Sequence, residues 1–141
     1  MIILIRRFSF IFMVQAFFVA GLQAEPVCRD FLAERNEKPA GVEYQSCKVH
    51  KGHQLHLRAR YRLSGKIARS VASILKKKYK MGDLRFMCCG WQAVPTGGYS
   101  RMVKGVDYSY SIVMFSQEGV EKNWSKVAWF YIEVTLYPGT V

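Results

Sequence analysis

Three histidines, His50, His53 and His56, stand three residues apart, and four cysteines, Cys28, Cys47, Cys88 and Cys89, complete the residues with metal-binding or nucleophilic chemistry. On a strand, an interval of three sends neighbours to opposite faces, so the histidines gather around a metal only if a turn bends them together. Adjacent Cys88 and Cys89 lack the Cys-x2-Cys spacing of a zinc site. No serine sits in a nucleophile elbow, and Asp83, Asp107, Glu118, Glu121 and Glu133 are scattered rather than paired. Gly97-Gly98 lacks the following lysine and helix of a phosphate-cradling loop. The residues therefore predict no catalytic or metal site and no cofactor, and the chain reads as a non-enzyme.

The cations make a clearer pattern. From Gln54 to Leu63, Leu55, Leu57, Ala59, Tyr61 and Leu63 alternate with Gln54, His56, Arg58, Arg60 and Arg62. Successive strand side chains point to opposite faces, so this run predicts a half-buried strand with one greasy and one cationic side. Arg58, Arg60 and Arg62 are candidate binding residues on that account. Trp91, Tyr99 and Arg101 join them: Pro95-Thr96-Gly97-Gly98-Tyr99 reads as a loop, and loops on a rigid scaffold carry recognition.

The compartment is written at the N-terminus. Arg6 and Arg7 precede an apolar run from Phe8 to Ala20, followed by Gly21-Leu22-Gln23-Ala24 ahead of Glu25-Pro26. A charged head, a short greasy stretch and a small residue at the cut predict a secretory signal peptide over residues 1–24 and one domain over 25–141. The apolar run is too short to span a bilayer, so no integral membrane segment is expected after cleavage. The whole chain carries 21 Lys+Arg against 10 Asp+Glu, and the leader removes two arginines and no acid. The basic charge thus belongs to the domain, which favours anionic partners in the periplasm or outside the cell. In that oxidising setting an even number of cysteines predicts disulfides. If Cys88 and Cys89 lie on a strand their side chains diverge, so each is expected to pair with one of Cys28 and Cys47, in either combination.

The positioning elements follow from periodicity. A short helical pattern through Phe31 and Leu32 ends by Pro39-Ala40-Gly41, and Val42 to Val49 reads as a strand. A three-residue turn, His50 to Gly52, would pair Cys47 with Leu55 and Val49 with His53; it buries Cys47 and leaves Val42 and Tyr44 outside. Ile67, Val71, Ile74, Leu75 and Tyr79 recur at helical spacing, predicting a helix from Lys66 to about Lys80, capped by Ser64 and stopped by Gly82. Lys76, Lys77, Lys78 and Lys80 fall where the helix dipole favours cations. Leu84–Cys89, Tyr108–Phe115 and Val127–Tyr137 read as three further strands, the last with an aliphatic and an aromatic face and with Glu133 placed to meet an arginine across the sheet. The expected fold is α+β: a single disulfide-stabilised domain with a curved antiparallel sheet of about five strands packed on one main helix, in the order α-β-β-α-β-β-β.

Cys28 with Phe31-Leu32, Tyr44, Cys47, Gln54, Tyr61-Arg62, Gly65, Met81-Gly82, Cys88-Cys89-Gly90-Trp91 and Trp129 together resemble an uncharacterised family of small exported proteobacterial proteins, marked by the Cys-Cys-Gly-Trp run. The resemblance implies architecture and export and transfers no catalytic residue. Small exported domains of this kind include immunity proteins, an analogy rather than a motif. The expected function is a periplasmic protein-binding module, most sharply an immunity or inhibitor protein that occludes an acidic secreted effector. The alternative is a cell-envelope protein that binds an anionic polymer or lipid surface. Nucleic acid is not expected as a partner in that compartment.

Overall fold

The computed structural model describes residues 27–103 and 105–139. The expected leader and its cleavage point lie outside these residues. The chain runs as a short helix α1 (Phe31–Glu34), strands β1 (Glu43–Lys51) and β2 (Leu55–Ser64), the long helix α2 (Gly65–Tyr79), then β3 (Asp83–Met87), β4 (Gly90–Val94), β5 (Gly97–Val103), β6 (Val106–Ser116) and β7 (Trp129–Pro138), with a 3-10 turn at Trp124–Lys126. All strand pairs are antiparallel, in the order β1-β2-β7-β6-β4-β3. β5 pairs with β6 beyond β4, along the same edge, after a kink at Pro95.

The expected α+β fold is corrected here. Among the described residues the protein is mostly β, 50% strand against 20% helix, with seven strands in place of about five, and it is not a sheet resting on one main helix. The stretch from Leu84 to Arg101 accounts for the difference, because it breaks into three short strands instead of one strand and a loop. Gly97 and Gly98 are the reason the supposed loop can join the sheet. A Cβ on Gly97 would lie 2.6 Å from the Tyr79 carbonyl oxygen and one on Gly98 2.5 Å from that of Tyr110, so the glycines serve close backbone approach rather than flexibility. α2 lies mainly against the Trp124 turn and β5 and covers only part of the inner sheet face. Phe31 and Leu32 of α1, with Val42 and Val127, complete the cover.

The alternation in β2 and β7 is obeyed. Leu57, Ala59, Tyr61 and Leu63 are buried, as are Phe130, Ile132, Val134 and Leu136, while Leu55 beside the hairpin turn stays 41% exposed. Ile112 and Met114 of β6 and Val71 and Leu75 of α2 join the same core. Burying such side chains is worth about 1.5–3 kcal/mol each before entropy is charged against it. Tyr61 is the polar member of this layer: its hydroxyl accepts a 3.2 Å hydrogen bond from the Leu32 amide, and burial pushes its pKa well up.

The β1–β2 register differs from the expected one. Cys47 opposes Ala59 and Val49 opposes Leu57, with the turn at Gly52-His53-Gln54, two residues later than read from the glycine. Moving the turn by two shifts each cross-strand partner by four, an even number that keeps every side chain on its face, so Cys47 still points inward. A bulge between Tyr44 and Ser46 then reverses the faces upstream. It sets Tyr44 opposite Tyr61, their rings edge to face at 5.7 Å, and buries Val42, which had been placed outside, while Tyr44 stays 37% exposed.

Two further expectations are corrected. Cys28 bonds Cys47, and Cys88 bonds Cys89, so neither of the adjacent pair reaches Cys28 or Cys47. Cys88 and Cys89 form the two-residue tip of the β3–β4 hairpin, with Met87 opposite Gly90 and Cys88 at φ 49°; they are not in strand geometry, so the divergence argument does not apply. The left-handed stop of α2 is Lys80, φ 55°, rather than Gly82. Gly82 instead lies against the Val94 carbonyl, where a Cβ would collide.

Candidate functional site

The outer sheet face is built in rungs, one residue from each strand. Lys48 lies beside Arg58 and Thr135; Ser46 beside Arg60, Glu133 and Val113; Glu43 beside Arg62, Tyr131 and Phe115, which reaches Gln92 of β4. At one end His50 and His56 stack in parallel, 4.7 Å between centroids, with Tyr137 5.9 Å from His56. His53 lies in the turn, so the three histidines do not converge, and no cluster of three metal-ligating side chains occurs among the described residues.

Each of the three arginines is held differently. The Arg60 guanidinium lies 4.4 Å from the Tyr131 ring centroid and 5.7 Å from that of Phe115, and makes no ion pair among the described residues. Arg62 sits 4.1 Å over Trp129 and bonds Glu43 at 2.7 Å. Arg58 approaches Glu133 only to 4.0 Å, and its buried Nε has no hydrogen-bond partner. A ring under a guanidinium is attractive by about 0.5–1 kcal/mol at exposed sites and removes rotamer freedom that binding would otherwise have to remove. The face therefore presents cations in fixed directions.

Two depressions adjoin on this face and share Glu133. One, of about 220 Å³, is walled by Ser46, Lys48, His50, Arg58 and Arg60. The other, of about 430 Å³, runs over Val113, Phe115 and Gln92 to the hairpin tip at Met87, Cys89 and Gly90, with Glu118 on its rim.

Of the other sequence-derived candidates, Tyr99 and Arg101 lie elsewhere and Trp91 lines the larger depression. Tyr99 belongs to β5 on the inner side of the sheet, stacked on Tyr110 at 4.3 Å, 5.3 Å from Tyr79 and covered by the Arg35 guanidinium at 4.1 Å. Burial pushes its pKa up, and its hydroxyl has no partner. Arg101 is exposed two residues further along the same strand face. Trp91 is half-buried, edge-on to Phe86 and Trp124, and its Nε1 donates to the Glu121 carbonyl at 3.1 Å. Beside Tyr99, Glu37 takes hydrogen bonds from Arg35 at 2.7 Å and from the Tyr79 hydroxyl at 2.5 Å; the Arg35 bond above all holds its carboxyl below the usual range, against the opposing effect of burial. The structure thus groups Arg58, Arg60 and Arg62 and separates them from Tyr99 and Arg101, while Trp91 lines the larger depression that meets theirs at Glu133.

Sequence reasoning missed Ser46, Lys48 and His50 as partners of the arginines, along with the supporting rings of Phe115, Tyr131 and Trp129. The signal was present: Ser46, Lys48 and His50 alternate with the inward Cys47 and the apolar Val49, which puts them on the charged face once β1 is paired with β2.

Comparison with curated proteins and with solved structures finds no match. The profile of a domain of unknown function, DUF4952, matches residues 18–91, from the expected leader through α1, the β1–β2 hairpin and α2 to Trp91. The match takes in the strand that carries all three arginines, and the chain belongs to the DUF4952 family.

Proposed function

We propose that this protein is an exported protein-binding module that engages an acidic partner through the outer face of its sheet, in its sharpest form an immunity or inhibitor protein that occludes a secreted toxin. The observation that carries the reading is Arg60, a cation with no ion pair among the described residues, seated on Tyr131 and backed by Phe115. Protein interfaces concentrate binding energy in arginine, tyrosine and tryptophan, and an arginine already immobilised loses little entropy on capture. The net charge would speed encounter with an acidic surface. Export rests on the charged head and apolar run of residues 1–24, and the family's exported, proteobacterial character with its Cys-Cys-Gly-Trp signature belongs to the same proposal. No helix among the described residues is long and apolar enough to cross a membrane.

The second reading, an envelope protein on an anionic polymer or lipid surface, draws on Lys48 and His50 widening the positive strip beyond the arginines. Affinity capture from a periplasmic extract separates the two. One stoichiometric protein partner lost with Arg60→Ser supports the first; salt-sensitive retention on a polyanion with no protein partner replaces it with the second. Mass spectrometry of secreted protein should give Glu25 as the first residue, and a retained leader would remove the export premise.

A further inference from the structure

The smaller depression has a chemistry of its own. Lys48 stands directly across from Arg58 on the neighbouring strand, and directly opposed like charges destabilise a sheet pair. The one acid of β1, Glu43, bonds Arg62, and Ser46, Lys48 and His50 supply no carboxylate. On the β7 side stands one acid, Glu133, whose carboxylate remains 4.0 Å from the buried, unpartnered Arg58 Nε. A buried donor without an acceptor is unfavourable, so the site holds both repulsion and an unmet hydrogen bond.

One kind of guest answers the repulsion. A compact dianion with oxygens in several directions accepts from the exposed end of the Arg58 guanidinium, from Lys48 and from the Ser46 hydroxyl together, whereas a lone carboxylate offers two oxygens in one plane. A volume of about 220 Å³ admits a phosphoryl group with the first atoms of its ester, and Arg60, steadied on Tyr131, stands at its rim. We propose that the groove over β1 and β2, walled by Ser46, Lys48, His50, Arg58 and Arg60 with Glu133 as its one acid, is a binding site for a phosphate monoester. The site rests on the outer face being free to bind, as in the reading above, and goes beyond it by naming a small anionic group.

The test uses the exported full-length domain with inorganic phosphate, followed by a soluble phosphate monoester, against chloride at equal ionic strength. Saturable binding, with a phosphate-dependent rise in melting temperature, is expected. Lys48→Ser and Arg58→Ser should each weaken binding by roughly tenfold or more, and Arg101→Ser, on the other side of the sheet, should leave it unchanged. Lys48→Ser should also melt higher than the parent in phosphate-free buffer, because it relieves the opposed charges, and lose that advantage when phosphate is added. A merely structural lysine would show the reverse. Vesicles of phosphatidylcholine with and without phosphatidic acid distinguish the source of the group: added retention that soluble monoester displaces indicates a lipid headgroup in the groove, and monoester uptake without it indicates a soluble ester. Vesicle retention without uptake of the soluble ester overturns the site, as does phosphate binding equally weakened by Arg101→Ser. If phosphate has no effect while Arg60→Ser still abolishes partner capture, the groove assignment falls and the protein-binding reading stands.

Discussion

Arg60 rests on Tyr131, its guanidinium carbon 4.4 Å from the ring centroid, one strand away and one rung removed from direct opposition. Diagonal neighbours of this kind lie within reach of long and aromatic side chains, so the pairing follows from the register of β2 on β7. It turns an otherwise mobile surface cation into a fixed one.

That contact predicts a separation of function from stability. Arg60→Ser should cost no more than about 1 kcal/mol of folding free energy, the scale of an exposed cation–π contact, because the side chain makes no ion pair among the described residues. Partner affinity should fall by roughly tenfold or more. Urea unfolding and a binding isotherm on the same preparation check both, and a variant that loses stability and affinity together would mark Arg60 as structural.

The Cys28–Cys47 bond ties the segment before α1 to β1, closing a separation of 19 residues. Cys28→Ser or Cys47→Ser should destabilise the domain by about 2–4 kcal/mol, and the double variant by no more than either alone. Denaturant midpoints test this; additive losses would show that the two cysteines act separately.

Acid should weaken the Arg35–Glu37–Tyr79 cluster. The Glu37 carboxyl sits below its ordinary value, chiefly through the Arg35 hydrogen bond. A lowered folded-state pKa contributes stability that is present above the unfolded value, near about 4.3, and is lost as pH falls through the folded value. Stability measured from about pH 6 down to about pH 3 should therefore fall less steeply in Glu37→Gln than in the parent. Parallel curves would remove the carboxylate from the account.

Gly65 begins α2 with no room for a side chain: a Cβ there would collide with the Trp124 and Val127 carbonyl oxygens. At an open helix position Gly→Ala gains up to about 1 kcal/mol. Here Gly65→Ala should instead lose about 1–3 kcal/mol, because both obstacles are backbone and neither can swing aside. A calorimetric melting temperature equal to or above the parent's would contradict that packing.

Much was legible locally, and the reason is periodicity. Alternation along Leu57–Leu63 and Phe130–Leu136 sets which side of each strand is apolar, and water enforces that choice wherever the strands pair, so the buried and cationic faces could be read from residue order. The spacing of Val71, Leu75 and Tyr79 likewise specifies a helix with one buried stripe. What residue order left open is everything set by contacts distant along the chain. The Tyr44–Ser46 bulge buries Val42 because the core has space for it, Gly97 and Gly98 enter the sheet because Tyr79 and Tyr110 backbone lie against them, and the Cys88–Cys89 bond follows from a hairpin placed far from Cys28. Tertiary structure alone also decided that β7 lies between β2 and β6. That placement sets Tyr131 beneath Arg60, Trp129 beneath Arg62 and Glu133 near Arg58, and a row of charged residues thereby became a directed surface.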